Sequence, residues 1–248
     1  MTHMTDLDRH RLIYQCLDLT SLSGAETPAE ILKLAALATH PILGHVAAVC
    51  ITPPCIRFLP QLDDIHIATV INFPRGDQSV EAVIQEIQQA ISLGAQELDL
   101  VIPYQDVQSN HFATTEHLLS VIQPYVKNKT LKIIVESSAL SPVLLQSLCE
   151  RILSLNLKID FLKTSTGKSP AGGVTLEAAT IMLTAIKDHF EKTHQWVGFK
   201  ASGGVSEITQ AQALIDLAEA ICGKAYLTPH TLRLGASRLA KAIIVEHS

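Results

Sequence analysis

Eight short runs rich in apolar and β-branched residues recur along the 248-residue chain, separated by longer segments. They are LDLT (17–20), VAAVCIT (46–52), HIATVIN (66–72), ELDLVI (97–102), LKIIVE (131–136), IDFLKTS (159–165), WVGFKA (196–201) and TLRLG (231–235). Between the third and fourth runs, Val80, Val83, Ile84, Ile87 and Ile91 follow the spacing of one helix face, which stops at Gly94. Residues 175–190 and 206–220 carry the same period, with Thr175 and Ser206 as expected N-caps. Strands that alternate with helices predict a parallel sheet, because each return connection must cross the sheet face. Eight such units close into an α/β TIM (β/α)8 barrel, here with a short N-terminal helix before the first strand.

The length suits one domain spanning 1–248, and 47% hydrophobic against 17% charged residues is enough for a large core. No apolar run approaches the roughly 18 residues that span a bilayer, and the start MTHMTDLDRHRL lacks a signal-peptide core. A cytoplasmic protein with no membrane partner is expected. The five cysteines are scattered without CxxC spacing, which supports neither a disulfide framework nor zinc. A net charge of −5, 4% aromatic residues and no basic cluster argue against a nucleic-acid partner. Apolar positions on the outer helices would serve a homodimer interface as well as internal packing.

Strand parity locates the chemistry. Side chains alternate faces along a strand, so the apolar set should meet the helices and the remainder should face the lumen. On that reading Asp18, Thr20, Cys50, Glu97, Asp99, Lys163, Ser165 and Lys200 point inward, mostly toward the C-terminal rim where this fold carries catalytic groups. Glu97, Lys132 and Arg233 read as paired core charges or salt bridges at the barrel bottom.

Lys163 and Lys200 lie on consecutive runs, and neighbouring strands are about 4.8 Å apart. Two ammonium groups ~5 Å apart repel by roughly 3 kcal/mol at an effective dielectric of ~20, which is about two pKa units. One lysine should then be partly neutral, and a neutral amine adds readily to an aldehyde to give a Schiff base. The alternative is that both lysines bind an anion or pair with Asp18 and Asp99.

Gly167-Lys168-Ser169 resembles the end of a P-loop, but Leu162 stands where that motif needs glycine, and Pro170, Gly172 and Gly173 prevent the following helix. The glycines instead suit a different anion. Ser202-Gly203-Gly204 follows the seventh run and Gly235-Ala236-Ser237 ends the eighth, the two places where TIM barrels often hold phosphate.

Seven ordered motifs, LDLT (17–20), AAVCI (47–51), ATVINFPRG (68–76), ELDLVIPY (97–104), FLKTSTGK (161–168), VGFKASGGV (197–205) and RLGAS (233–237), closely resemble deoxyribose-phosphate aldolase over nearly the whole chain. The resemblance implies a class I aldolase that reversibly cleaves the small sugar phosphate 2-deoxy-D-ribose 5-phosphate into acetaldehyde and D-glyceraldehyde 3-phosphate, with neither metal nor cofactor. It implies Lys163 as the Schiff-base lysine, Lys200 as the lysine that tunes it, and Asp99 as the proton-transfer carboxylate. Asp18, Thr20 and Cys50 match pocket residues, Gly167, Gly203, Gly204, Gly235 and Ser237 match the phosphate-binding backbone, and Thr166 and Lys168 complete the substrate-binding set.

Relatives commonly read KPAGG where this chain has Lys200-Ala201-Ser202-Gly203-Gly204, and the serine is expected to loosen a turn that proline would fix. Arg238 stands where a second serine is common, and could add a cation beside the phosphate or point into solvent. Some members carry a C-terminal tyrosine that visits the site, a contribution not expected from Glu246-His247-Ser248. A transaldolase-like barrel acting on another sugar phosphate and a non-catalytic sugar-phosphate-binding barrel remain the alternatives.

Overall fold

The structure, a computed structural model, describes residues 5–247. All eight runs form strands: β1 (Leu17–Ser21), β2 (Ala48–Ile51), β3 (His66–Ile71), β4 (Glu97–Val101), β5 (Thr130–Ile134), β6 (Phe161–Lys163), β7 (Gly198–Ser202) and β8 (Leu232–Ala236). Each pairs in parallel with the next, and β8 closes on β1, so the expected TIM barrel is the fold. Helix α1 (Asp6–Gln15) precedes the first strand, as expected. The outer ring comprises α2 (Pro28–Ala35), α3 (Val80–Ser92), α4 (Ala113–Val126), α5 (Pro142–Ser154), α6 (Leu176–Thr193), α7 (Ile208–Cys222) and α8 (Leu239–Val245). Between β2 and β3 a 3-10 turn, Pro53–Phe58, takes the place of an α-helix. A two-residue antiparallel ladder, Thr39–His40 against Gly44–His45, was not foreseen because so short a pairing has no periodicity to read.

Thr175 caps α6 as expected, its hydroxyl accepting the Ala178 N–H at 3.1 Å. Ser206 does not cap α7. That helix begins two residues later behind Glu207, because Gln210 Oε1 accepts both the Ser206 and Glu207 N–H groups and forms a capping box.

Strand parity holds. Leu17, Leu19, Leu98, Leu100, Leu162, Phe199 and Leu234 face outward into one core shared with the helices. Each such side chain contributes roughly 1.5–3 kcal/mol by leaving water. Inside, the lumen is divided: Ala48, Cys50, Ala68 and Val70 form a small apolar cluster on β2 and β3, while the inward charges come from β1 and β4 to β8.

The motif ATVINFPRG builds the turn that leaves β3. Asn72 adopts φ 57°, its amide donates to Val101 O at 2.9 Å, and its Oδ1 accepts the Gln78 N–H at 3.0 Å. Gly76 follows with φ +70°, where a Cβ would lie 2.1 Å from Ile102 O. Gly94 also has positive φ, at +104°, but its Cβ position is open. Gly76→Ala should therefore cost more than ~2 kcal/mol and Gly94→Ala about 1 kcal/mol, the first combining strain with a backbone clash. Urea unfolding midpoints of the two variants check the order.

Candidate active site

Seven charged side chains fill the ionic part of the lumen. Asp99, in the middle of β4, is fully buried and binds three lysines: Oδ1 accepts from Lys132 Nζ at 3.0 Å, and Oδ2 accepts from Lys163 Nζ at 2.7 Å and Lys200 Nζ at 2.6 Å. The Lys163 and Lys200 ammonium groups thus sit on one oxygen. Register puts them there, since Lys163 and Lys200 are direct cross-strand partners and Asp99 is paired with Lys132. Asp18 binds Lys200 and Lys132 through Oδ2 and Arg233 through Oδ1. Glu97 completes the lower layer, with Lys132 at 2.5 Å, Arg233 at 3.0 Å and His66 at 2.7 Å.

Glu97, Lys132 and Arg233 are therefore paired core charges as expected, but they are not a separate bottom layer. Lys132 reaches Asp99 itself, so ion pairs run continuously from Glu97 to Lys163, and His66 contacts Glu97 at the near end.

The number of carboxylates around each lysine sorts their charge. Burial disfavours all three ammonium ions. Lys132 faces Asp18, Asp99 and Glu97, and Lys200 faces Asp18 and Asp99; those carboxylates outweigh burial and raise both pKa values. Lys163 has Asp99 alone, and burial, assisted by the Lys200 charge, lowers its pKa. Of the two lysines, the expected downward shift falls on Lys163, although burial rather than repulsion between the lysines is its leading cause. Burial opposes ionisation of Asp99 as well, but Lys132, Lys163 and Lys200 hold its carboxyl far below the ordinary range.

Above this network a cavity of about 540 Å³ opens on the C-terminal rim. Lys163 forms its floor, and Thr20, Thr166, Gly167, Lys168, Gly203, Gly204, Gly235 and Ser237 all line it, so most of the expected binding set converges here. Asp18 and Cys50 do not line it. Both are fully buried beneath the floor, with Cys50 Sγ 4.0 Å from Asp99 Oδ2 and its thiol pKa raised by burial. The wall includes the cations Lys168 and Arg238 and no carboxylate, so Arg238 belongs to the cavity.

Glycine is required where the loops meet. Gly203 has φ +83°, and a Cβ on Gly173 would stand 2.0 Å from Gly203 O. Such close approach builds the wall from backbone amides, the groups that favour an anion.

Ser202 does not loosen its turn. In KPAGG the proline position corresponds to Ala201, and Ser202 ties two loops together. Its N–H donates to Thr164 Oγ1 at 2.9 Å, and its hydroxyl donates to Ser165 O at 2.5 Å. Parity identified neither this tie nor Glu136, whose buried carboxylate accepts from Thr166. The available signal for Glu136 was a lone acid ending the apolar run LKIIVE at the catalytic rim. Among the described residues no group of three or more His, Cys, Asp or Glu is placed to hold a metal ion.

Residues 12–227 match the family of DeoC/LacD aldolases. The chain belongs to this family. It is thus an aldolase, a carbon–carbon lyase, and solved structures share its barrel. A protein of Toxoplasma gondii ME49 provisionally named deoxyribose-phosphate aldolase superposes with a TM-score of 0.86 at 19% identity, covering 96% of this chain and 94% of that one. A similarly named Coccidioides immitis protein gives 0.78 at 25% identity, covering 96% and 87%. The tetrameric deoxyribose phosphate aldolase of Aeropyrum pernix gives 0.72 at 20% identity, covering 98% and 95%. No helix of the described residues is long and apolar enough to cross a membrane.

The buried charges make stability depend on pH. In the fold, burial raises the pKa of Glu97, but Lys132, the His66 hydrogen bond and Arg233 bring it from 4.5 down to about 2. A carboxylate with a depressed folded pKa stabilises fully above its unfolded value and loses that contribution as pH falls through the folded one. Unfolding free energy should therefore drop between pH 4.5 and about 2, with a shallower slope in Glu97→Gln. Lys132→Met, which takes one cation from each of three buried carboxylates, should cost about 3–5 kcal/mol in chemical denaturation at pH 7.

Proposed function

We propose that the chain is a 2-deoxy-D-ribose 5-phosphate aldolase that forms acetaldehyde and D-glyceraldehyde 3-phosphate through a Schiff base on Lys163. One observation carries this reading. Of the three lysines in the lumen, only Lys163 opens on the cavity, and it is the one whose ammonium is disfavoured. The cationic, carboxylate-free wall with its glycine backbone supports a phosphate at the other end of the substrate. The Aeropyrum pernix structure, of a protein named for this reaction, supports the same assignment.

In the cleavage direction, neutral Lys163 adds to the C1 aldehyde of the open-chain sugar phosphate, and loss of water gives an iminium. The product acetaldehyde keeps two carbons, so the bond that breaks lies between C2 and C3. Its electron pair moves to the iminium nitrogen and leaves an enamine, while the C3 hydroxyl gives up its proton and departs as the aldehyde of glyceraldehyde 3-phosphate. Protonation of the enamine carbon and hydrolysis free acetaldehyde and Lys163. The iminium is itself the electron sink, so the reaction needs no metal or cofactor. Asp99, with Lys200 beside it on the same oxygen, is the group that relays protons between substrate and solvent.

Borohydride added with acetaldehyde should fix an ethyl group of about 28 Da on the protein. Peptide mapping is expected to place it on Lys163; an adduct elsewhere, or none, overturns the reading, and a panel of sugar phosphates tests the substrate. Removing the Lys200 charge should let Lys163 hold its proton to higher pH. Lys200→Leu is therefore expected to shift the acid limb of the kcat/KM profile upward and to slow turnover by about 10²-fold or more.

A further inference from the structure

Glu136, two residues beyond β5, combines two unfavourable features. Its backbone is left-handed at φ 51°, a conformation costly for any residue but glycine, and its side chain is fully buried outside the ion network of the lumen. Burial raises the carboxyl pKa, an effect only partly opposed by hydrogen bonds from Thr166 and, more weakly, by the charge of Lys163. Oε1 has no hydrogen-bond partner, so the group is not retained for a saturated polar network.

Its other oxygen is fully used. Glu136 Oε2 accepts the Thr166 N–H at 3.2 Å and the Thr166 hydroxyl at 2.5 Å. Thr166 Oγ1 in turn accepts the Lys168 N–H at 3.1 Å. Residues 164–175 lie outside any helix or strand, and while β7 holds Thr164 and Ser165, the side-chain bond to the cavity-lining Thr166 comes from Glu136. Gly167 sits in that wall at φ +72°, packed near Gly203 of the neighbouring loop. Just beyond Glu136 the Ser137 N–H donates to Thr164 O at 2.8 Å, so the exits of β5 and β6 are joined by backbone as well. The loop is tied at its two ends by Ser202, which bonds Thr164 and Ser165, and by Val174 N–H, which donates to Gly203 O, and Glu136 is the side chain that holds Thr166 between them.

We propose that Glu136 is a positioning residue for substrate phosphate, holding Thr166 and the Lys168 amide in the orientation that receives the anion. The inference rests on the sugar-phosphate reading of the cavity. The carboxylate reaches the phosphate only through Thr166, so its effect should fall on binding of the phosphorylated end.

The test is calorimetric titration with inorganic phosphate, run beside borohydride trapping with acetaldehyde, which involves no phosphate. Glu136→Leu should weaken phosphate binding about tenfold and raise KM for deoxyribose 5-phosphate to match, while Lys163 labelling falls several-fold less. Glu136→Gln keeps an acceptor oxygen and should stay within about threefold of the wild type. Should Glu136→Leu fail to fold, Thr166→Val breaks the same bond from the other side and should show the same tenfold loss, rescued by Thr166→Ser. Phosphate affinity that is unchanged in these variants, absent in the wild type, or lost only in proportion to labelling overturns the proposal. A wild type that neither labels nor cleaves refutes the aldolase reading instead, and the phosphate titrations still decide the role of Glu136.

Discussion

Asp99 Oδ2, shared by two ammonium groups at 2.7 and 2.6 Å, is the contact on which both fold and site depend. An unpaired ion in a closed barrel would be intolerable, so each of the seven lumenal charges needs partners from other strands. Those partners come from six strands, β1 and β4 to β8. A one-residue slip of any of these strands would turn its charge toward the helix layer and strand its partners. The pairings Asp99 with Lys132, Lys163 with Lys200, and Lys200 with Arg233 are thus fixed by the same electrostatics that prepares the lysines.

That economy gives the lysines different characters from similar surroundings. All three are buried, and what separates them is the count of carboxylates: three for Lys132, two for Lys200, one for Lys163. Burial is the common penalty and the carboxylates are the variable offset. The least compensated lysine lies nearest the rim, where the cavity begins. Burial opposes ionisation of Asp99, and Lys132, Lys163 and Lys200 together keep it ionised all the same.

The sequence was most legible where period-two alternation governs. The eight strands, and the inward aim of Asp18, Asp99, Lys163 and Lys200, follow from face parity, which needs no knowledge of depth. Lys132 shows where parity stops: it assigns the residue to the lumen, but only strand stagger decides that its ammonium touches Asp99 as well as Glu97. The same lack of depth allowed repulsion to stand in for burial as the main cause of the Lys163 shift. Loop chemistry was less readable still. Ser202 looked like a loosened turn because its hydrogen bonds run to Thr164 and Ser165, residues remote in sequence. Glu136 was merely the last letter of an apolar run, because its hydrogen-bond partner Thr166 lies 30 residues away.

The division of the lumen explains why the cavity opens where it does. On β2 and β3 the inward positions are Ala48, Cys50, Ala68 and Val70, which pack with Leu22 as a buried apolar cluster that carries no charge. The cavity instead lies over the consecutive strands β6, β7, β8 and β1, whose exits carry Gly167, Gly203, Gly204, Gly235 and Thr20. Small residues at those exits leave space, and the long ionic side chains below supply the field. The exit of β5 differs, closing with Glu136, whose buried carboxylate turns toward the loop after β6. A rim open on four strands and braced from the fifth puts the cavity on the side of the barrel where Lys163, the lysine with the fewest carboxylate partners, faces it.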